Sequence, residues 1–222
     1  MIAFCKAEGI RHEICGKLVV ACDEIELPRL ETLYQRSIAN GLSGVRKLTR
    51  AEMLEIEPHV GGIAALHVPE EGIVDYRQVC DRMALRLQER GAEIRLNARV
   101  EALVSTARGW IAGSSAGEFS GDYLINCAGL HCDRVSELAG EKRETRIVPF
   151  RGEYYKLAAS KQSLVRNLIY PVPDPRFPFL GVHFTRLIGG GVECGPNAVL
   201  AFRREGYTWR DFDWKDTLDA LG

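Results

Sequence analysis

The stretch DYLINCAGLHCDRV, residues 122–135, decides how the fold is interpreted. An apolar run at 123–125 ends in the small residues NCAG at 126–129 and leads into a sequence typical of a helix. In open α/β sheets, ligands bind beyond the carboxyl ends of strands, where small residues let them approach the backbone. A tight turn that needs glycine for a positive φ would leave the same pattern. The stretch predicts a buried strand, a turn and a helix, and both explanations of the turn stay open.

The composition is typical of a globular protein and excludes two classes of function. The chain has 222 residues, of which 46% are apolar and 27% are charged, enough for one large core or two smaller ones. The formal net charge of −1 gives no overall electrostatic case for binding nucleic acid. No apolar stretch approaches the roughly 18 residues that a membrane-spanning helix needs.

The cysteines predict neither disulfides nor a metal site. Their number is odd, they are scattered through apolar runs, and no C-x-x-C or zinc-finger spacing occurs. Reduced thiols in a cytoplasmic protein are therefore expected. The seven positions are Cys5, Cys15, Cys22, Cys80, Cys127, Cys132 and Cys194.

Predicted strands and helices alternate in the middle of the chain, which indicates an α/β layer. A short strand at 72–74 precedes a helix that ends at Gly91, and strands follow at 92–97 and 99–105. A β-ribbon then turns near residues 115–117 and leads into the buried strand before the NCAG turn.

The remaining segments predict helices around a largely antiparallel sheet. KLVVA at 17–21 is a strand, Asp23 begins a helix that Pro28 either starts or kinks, and Thr49 with Glu52 forms a capping box. From Thr145 the chain is rich in strands separated by proline and glycine clusters.

Several stretches resemble a known family. ARV at 98–100, followed by LINCAG at 124–129, resembles the FAD-dependent oxidoreductases of the D-amino-acid oxidase type. VPFRGEYYKL at 148–157, LIYPVPDPRFPFLGVHFTR at 168–186 and GPNAVLAFRREGY at 195–207 are similar to the branch that oxidises L-2-hydroxyglutarate. The resemblance covers essentially the whole chain.

The resemblance implies a mixed α/β and α+β fold: a partial FAD-binding Rossmann-like layer plus a substrate domain with a largely antiparallel sheet flanked by helices. Residues 1–72 would be the first part of the substrate domain, 73–140 the second half of the FAD-binding domain, and 141–222 the second part of the substrate domain.

The family begins with a strand and a G-x-G-x-x-G turn that holds the FAD pyrophosphate. GGGVECG at 189–195 does not have that spacing, so it is predicted to be a hairpin turn. An internal fragment is therefore expected, lacking the N-terminal G-x-G-x-x-G segment and the C-terminal segment, and inactive by itself.

On the cofactor side, the resemblance implies FAD contacts for residues near the quoted turn. Val100 would face the adenine side of FAD through its backbone. Cys127, Ala128 and Gly129 would line the dinucleotide near the pyrophosphate. Ordinary strand core for Val100 and a simple turn for the other three are the alternatives.

On the substrate side, a 2-hydroxy diacid needs cations or hydrogen-bond donors for its two carboxylates and a base for its hydroxyl proton. His183 is the catalytic candidate, because alternation along its strand turns it away from the apolar face, beside Gly181. A solvated or hydrogen-bonded strand histidine is the alternative. The candidate substrate ligands are Arg151, Tyr154, Tyr170 and Asn197, for which surface pairing or edge packing is the alternative.

Three functions remain open at this stage. The first is FAD-dependent oxidation of L-2-hydroxyglutarate to 2-oxoglutarate, with electrons passing to oxygen or to a quinone at the inner membrane. The second is oxidation of an amine such as glycine or sarcosine. The third is a truncated chain that does not bind FAD. The sequence leaves the oligomeric state open.

Overall fold

The computed structural model describes residues 1–177 and 179–221. The helices are α1 Ile2–Ala7, α2 Leu27–Ala39, α3 Arg50–Ile56, α4 Tyr76–Glu89, α5 Cys132–Leu138 and α6 Trp214–Leu221. The strands are β1 His12–Glu13, β2 Lys17–Ala21, β3 Arg46–Thr49, β4 Ala64–Val68, β5 Ile73–Val74, β6 Val100–Thr106, β7 Gly109–Ser114, β8 Gly117–Gly121, β9 Phe150–Lys156, β10 Leu168–Pro171, β11 His183–Arg186 and β12 Val192–Leu200. Short 3₁₀ helices occupy Glu24–Glu26, Gly129–His131 and Ala159–Leu164.

The chain divides into two compact units. Unit 1 comprises Met1–Leu87 and Gly152–Ala198, and unit 2 comprises Gln88–Arg151 and the described residues from 199 onward. The sequence predicts domain boundaries after residues 72 and 140. The assignment of substrate and FAD roles to the three segments stays a prediction.

Unit 1 is built on a sheet whose strand order among the described residues is β3-β4-β2-β10-β11-β12-β9. β2 pairs with β10 in parallel, whereas β3–β4, β2–β4, β10–β11 and β11–β12 are antiparallel. Both faces of β2 are covered. Leu30 of α2 packs with Ala21 and Leu66 on one face, and Met53 of α3 packs with Leu18 and Val20 on the other. The largely antiparallel sheet flanked by helices is confirmed.

Local signals set where the unit 1 helices begin. The Thr49 side chain accepts from the Glu52 N–H and the Glu52 carboxylate accepts from the Thr49 N–H at 2.8 Å, so the predicted capping box is present. Pro28 lies in the first turn of α2, where its missing N–H is harmless, so it starts this helix and does not kink it.

Unit 2 contains the predicted β-ribbon as the three-stranded antiparallel sheet β6-β7-β8. The helix predicted after the NCAG turn is α5, preceded by one 3₁₀ turn. The Asp213 side chain accepts from the Asp216 N–H at 2.9 Å and caps the start of α6.

Two predicted strands of unit 2 are wrong. Residues 92–97 and 123–127 form no strand, and Ile125, expected to be buried, is 83% exposed beside a 90% exposed Tyr123. A strand exists only where a neighbouring strand pairs with its backbone, and no described residue forms a ladder with either segment. Apolar composition alone therefore does not predict strands correctly in these two segments.

None of the described helices combines the length and the apolar character required to cross a membrane.

Candidate functional site

One face of the unit 1 sheet brings two of the candidate residues together. The register of β10 and β11 sets Tyr170 opposite His183. Residues paired in this way project to the same face of a sheet. The two rings stack, with centroids 4.1 Å apart and planes inclined by 20°.

Hydrogen bonding fixes the tautomer of His183. The ring is only 6% exposed, and its Nδ1 lies 2.9 Å from the carbonyl oxygen of Gly181. A carbonyl oxygen can only accept, so Nδ1 donates and Nε2 of the neutral ring keeps its lone pair. The side chain is therefore buried and hydrogen-bonded rather than solvated, and Nε2 has the electronic state that a base requires.

Tyr154 extends the same face across β12. Gly195 pairs with His183, and a Cβ at Gly195 would lie 2.6 Å from Cδ1 of Tyr154 and 2.7 Å from the Glu153 carbonyl oxygen. The absence of a side chain at Gly195 thus makes room for the Tyr154 ring, which is half exposed. Tyr170, His183 and Tyr154 form what we call the aromatic row.

Lys17 lies beside the aromatic row, although no local pattern in the sequence selects it. Its Nζ lies 5.2 Å from the centroid of the Tyr170 ring and 2.6 Å from a carboxylate oxygen of Glu71. The parallel pairing of β2 with β10 produces this contact, because it sets Lys17 opposite Leu168. Only that non-local pairing could have identified the residue, which supplies a cation next to the two stacked rings.

Two other substrate candidates are not part of this row. Arg151 belongs to unit 2, where its Nη1 donates to the Thr208 carbonyl at 3.0 Å and its guanidinium lies 4.7 Å from the centre of the Trp209 ring. Asn197 is an exposed residue of β12, two positions beyond Gly195. Their substrate roles stay predictions.

Unit 2 contains a cavity of about 670 Å³ that two cofactor candidates share. Val100, at the start of β6, and Ala128, in the NCAG turn, both line it. Basic side chains surround them, with three acidic residues on the same walls. The basic lining residues are Arg99, His131, Arg134, Arg203 and Lys215. A cavity of this size and charge fits part of a phosphorylated dinucleotide.

The NCAG turn is held by Asn126, a residue that the sequence analysis did not select. Its Oδ1 accepts from the Ala128 N–H at 3.1 Å, and its Nδ2 donates to the Cys132 carbonyl at 2.7 Å. Gly129 has φ +54°, and a Cβ there would meet nothing within 4 Å. Both the left-handed backbone and an open side are therefore present at Gly129, so the two explanations of the turn are compatible.

Cys127 and Gly129 lie in this turn but not on the walls that the described residues give the cavity. The Cys127 thiol is exposed and forms no disulfide. In the part of the chain that the structure describes, no group of His, Cys, Asp or Glu is arranged to hold a metal ion.

A network of ion pairs joins Arg204 and Arg143 to carboxylates of α5 and α6. Arg204 forms a two-pronged ion pair with Asp133 of α5, and Arg143 donates to Asp219 of α6 at 2.6 Å. The Arg204 guanidinium holds the pKa of Asp133 far below its usual range. Arg143, followed by Arg204 and Arg134, lowers the pKa of Asp219 to about 2. All these carboxylates are therefore charged at neutral pH.

The sequence is similar to curated proteins over its whole length. It is 46% identical over 222 residues to L-2-hydroxyglutarate dehydrogenase of Indibacter alkaliphilus, covering all of this chain and 56% of that protein. The corresponding protein of Escherichia coli K12 is 46% identical over 99% of this chain and 52% of its own length. The human mitochondrial protein is 43% identical over 98% of this chain and 50% of its own length. The chain spans about half the length of these relatives.

Solved structures share the fold at low identity. L-α-glycerophosphate oxidase of Mycoplasma pneumoniae with FAD bound matches with a TM-score of 0.77 and 23% identity, over 91% of this chain and 55% of that one. Glycine oxidase of Geobacillus kaustophilus matches with a TM-score of 0.73 and 19% identity, over 100% of this chain and 58% of that one. Residues 2–221 match the DAO family, described as FAD dependent oxidoreductase. The aromatic row, the cavity beside the NCAG turn and this match lead to one conclusion: the chain belongs to the DAO family of FAD-dependent oxidoreductases.

Proposed function

We propose that this chain carries the substrate side and part of the cofactor side of an enzyme that oxidises L-2-hydroxyglutarate to 2-oxoglutarate. The names of the relatives support the substrate, since they are L-2-hydroxyglutarate dehydrogenases at 41–47% identity. The observation that carries the reaction is the buried His183 with its Nδ1–H bound to Gly181 and its Nε2 lone pair available.

His183 acts as the base in this proposal. The substrate hydroxyl gives its proton to Nε2 as the carbonyl forms at C2, and the C2 hydrogen leaves with its two bonding electrons. FAD, when bound, supplies the acceptor for that hydride. Stacking on Tyr170 and the bond to Gly181 hold the imidazole plane, so that little reorganisation is needed when it becomes charged.

The two carboxylates of the substrate need cationic and hydroxyl partners. We assign Lys17 to the second carboxylate, on C5, and the hydroxyl groups of Tyr170 and Tyr154 to orientation of the substrate. The Lys17 Nζ lies 5.2 Å from the centre of the Tyr170 ring, which supports the assignment. Asn197, on β12 of the same unit, is proposed for the first carboxylate, next to C2. A substrate role for Arg151, in unit 2, stays a separate prediction.

Val100 and Ala128 are proposed to hold the dinucleotide, with Cys127 and Gly129 beside it. Their support is the shared cavity with its basic walls and the open side of Gly129. Backbone groups near a turn of small residues, together with surrounding cations, suit a pyrophosphate.

The test of the substrate is anaerobic reduction of the flavin in the protein expressed from the complete reading frame that encodes this chain. We expect L-2-hydroxyglutarate to bleach the visible flavin absorbance, with D-2-hydroxyglutarate, glycine and sarcosine as controls. Bleaching by glycine or sarcosine alone would support the amine-oxidase alternative and contradict the proposal.

We further propose that electrons leave to a quinone at the membrane or to oxygen, and that the protein is cytoplasmic and peripheral to the inner membrane. Reduction of a soluble ubiquinone analogue, compared with production of hydrogen peroxide, distinguishes the two acceptors. Recovery of the protein in the membrane fraction at low salt and its release at high salt would support the location.

We also propose that the 222-residue chain expressed alone does not catalyse the reaction. The exposed apolar side chains of Tyr123 and Ile125, directly before the NCAG turn, support this. A ligand that binds only the folded form raises its melting temperature. Adding FAD to the 222-residue chain should therefore leave the melting temperature unchanged, and a clear rise would contradict the proposal.

A further inference from the structure

Arg204 is a buried charge that no step of the proposed reaction uses. The residue is 3% exposed, and its guanidinium bonds three residues. Nη2 donates to Asp133 at 2.7 Å and to Asp219 at 2.9 Å, and Nη1 donates to the Leu130 carbonyl at 2.6 Å. Leu130 directly follows Gly129, so Arg204 bonds the backbone of the turn that opens onto the cavity.

Asp133 is bound from several sides at once. Besides Arg204, its carboxylate accepts from the backbone N–H groups of Arg134 at 2.8 Å and Ile147 at 3.1 Å. The first turn of α5, where Asp133 lies, is thereby fixed to the segment that carries Arg204. The Asp133 carboxylate thus accepts from two backbone N–H groups as well as from Arg204. The Arg204 guanidinium donates to a backbone carbonyl as well as to two carboxylates.

Two side chains, Asn126 and Arg204, therefore bond the backbone of the turn and of the residues that follow it. Asn126 bonds the Ala128 N–H and the Cys132 carbonyl, and Arg204 bonds the Leu130 carbonyl between them. These contacts fix the backbone around Gly129, which has a φ of +54° and open space where a Cβ would lie. Loss of the Asn126 or the Arg204 bonds would free the backbone next to Ala128, which lines the cavity.

A buried ion pair is not needed for stability, because apolar side chains of similar size often pack as well. The geometry of its side chain distinguishes arginine from other residues at this position. The guanidinium is a rigid planar fork that can satisfy a carboxylate and a carbonyl together, whereas an ammonium is a point charge on a flexible stem. Lysine at this position could keep the charge but not the three-acceptor arrangement.

We infer that Arg204 is a positioning residue for the cofactor: by bonding Leu130 and Asp133 it holds the Gly129 turn in the conformation that receives the dinucleotide. It acts through the turn and does not touch the cofactor. This inference rests on the proposed function, because it takes FAD as the ligand of the cavity.

The test compares Arg204→Lys with Arg143→Lys in the protein made from the complete reading frame. Arg143 is the matched control, since it belongs to the same network but donates to Asp219 and not to the turn, and its Nη1 lies 3.7 Å from Asp133, beyond hydrogen-bond distance. Flavin is removed from each protein, and FAD is titrated back while its fluorescence is followed. Melting temperatures are measured in parallel.

We expect R204K to raise the FAD dissociation constant by about tenfold or more, equivalent to about 1.4 kcal/mol. R143K should change it less than about twofold for a similar loss of melting temperature. The kcat and the substrate KM of R204K saturated with FAD should stay near those of the unmodified protein, because the reacting groups are elsewhere in the sequence.

Equal weakening of FAD binding in the two variants, in proportion to lost stability, would overturn the inference, and so would unchanged binding in R204K. If R204K does not fold, Asp133→Asn takes its place, and its dissociation constant should exceed that of R143K several-fold. Unmodified protein that binds no FAD would refute the proposed function itself, a result distinguishable from failure of the inference alone.

Discussion

At the scale of single residues, the position of Lys17 depends on strand pairing. Its contact with Tyr170 exists because β2 runs parallel to β10. A lysine at the start of an apolar strand otherwise suggests an ordinary solvated end. Because Lys17 lies beside the aromatic row, it is the residue that we expect to favour a substrate with two carboxylates over one with a single carboxylate.

Lys17→Met should raise the KM for L-2-hydroxyglutarate by about tenfold, because a charge-assisted hydrogen bond contributes roughly 1.5–3 kcal/mol. The KM for L-2-hydroxyvalerate, which lacks the second carboxylate, should change little if Lys17 binds that group. Lys47→Met is the matched control, since Lys47 also lies over a tyrosine and pairs with a glutamate. Equal effects on both substrates would contradict the assignment.

At the scale of secondary-structure elements, a buried carboxylate joins α3 to β10. Glu57 ends α3 and is fully buried. Its oxygens accept from the backbone N–H groups of Arg166 and Asn167 and from the Asn167 side chain. These donors directly precede β10, the strand that carries Tyr170.

Glu57→Gln should destabilise the protein by about 1–3 kcal/mol, since it removes the charge that strengthens these bonds and sets an NH₂ group against the Arg166 N–H in place of an acceptor. Glu55→Gln, an exposed substitution on the same helix, should stay within about 0.5 kcal/mol of the unmodified protein. Urea unfolding measures both. Equal stability of the two variants would show that the Glu57 contacts are dispensable.

The helices and strands also show which structural features can be predicted from the sequence. Signals that act over a few residues were confirmed: the Thr49 capping box, strand 17–21 and the glycine hairpin, in which the Leu187 N–H donates to the Gly191 carbonyl at 3.0 Å. The strand predicted at residues 123–127 was wrong, because a strand forms only when a segment distant in sequence pairs with its backbone.

The same distinction holds within the candidate site. Alternation along one strand selected His183, and the need for hydrogen-bond donors to the substrate selected Tyr170. Their stacking, however, follows from the register of β10 and β11. The pair of Arg204 with Asp133 joins residues 71 positions apart and has no local signature in the sequence.

At the scale of the whole molecule, the ion-pair network of unit 2 should make the stability of that unit depend on pH. The buried network of unit 2 contains carboxylates with lowered pKa values, including Asp219 at about 2. A carboxyl group with a pKa below its unfolded value of about 4 contributes stability above that value. This contribution is lost as the pH falls through the pKa of the folded state.

Unit 2 should therefore lose stability as the pH falls from about 4 to about 2. The three tryptophans, Trp110, Trp209 and Trp214, all belong to unit 2, so their fluorescence reports on that unit. Asp219→Asn should be less stable at neutral pH and show a shallower dependence across this window. An unchanged slope would mean that Asp219 does not couple protonation to folding.

The most direct test of the account is the rate of flavin reduction by saturating L-2-hydroxyglutarate in His183→Gln, compared with His12→Gln. His12 is the matched control, because its Nδ1 also bonds a carbonyl two residues earlier, at 2.8 Å. We predict a loss of about 10²–10⁴-fold for His183→Gln, with FAD content unchanged, and a near-normal rate for His12→Gln. A flavin-loaded His183→Gln protein that reacts as fast as the His12→Gln control would contradict the account.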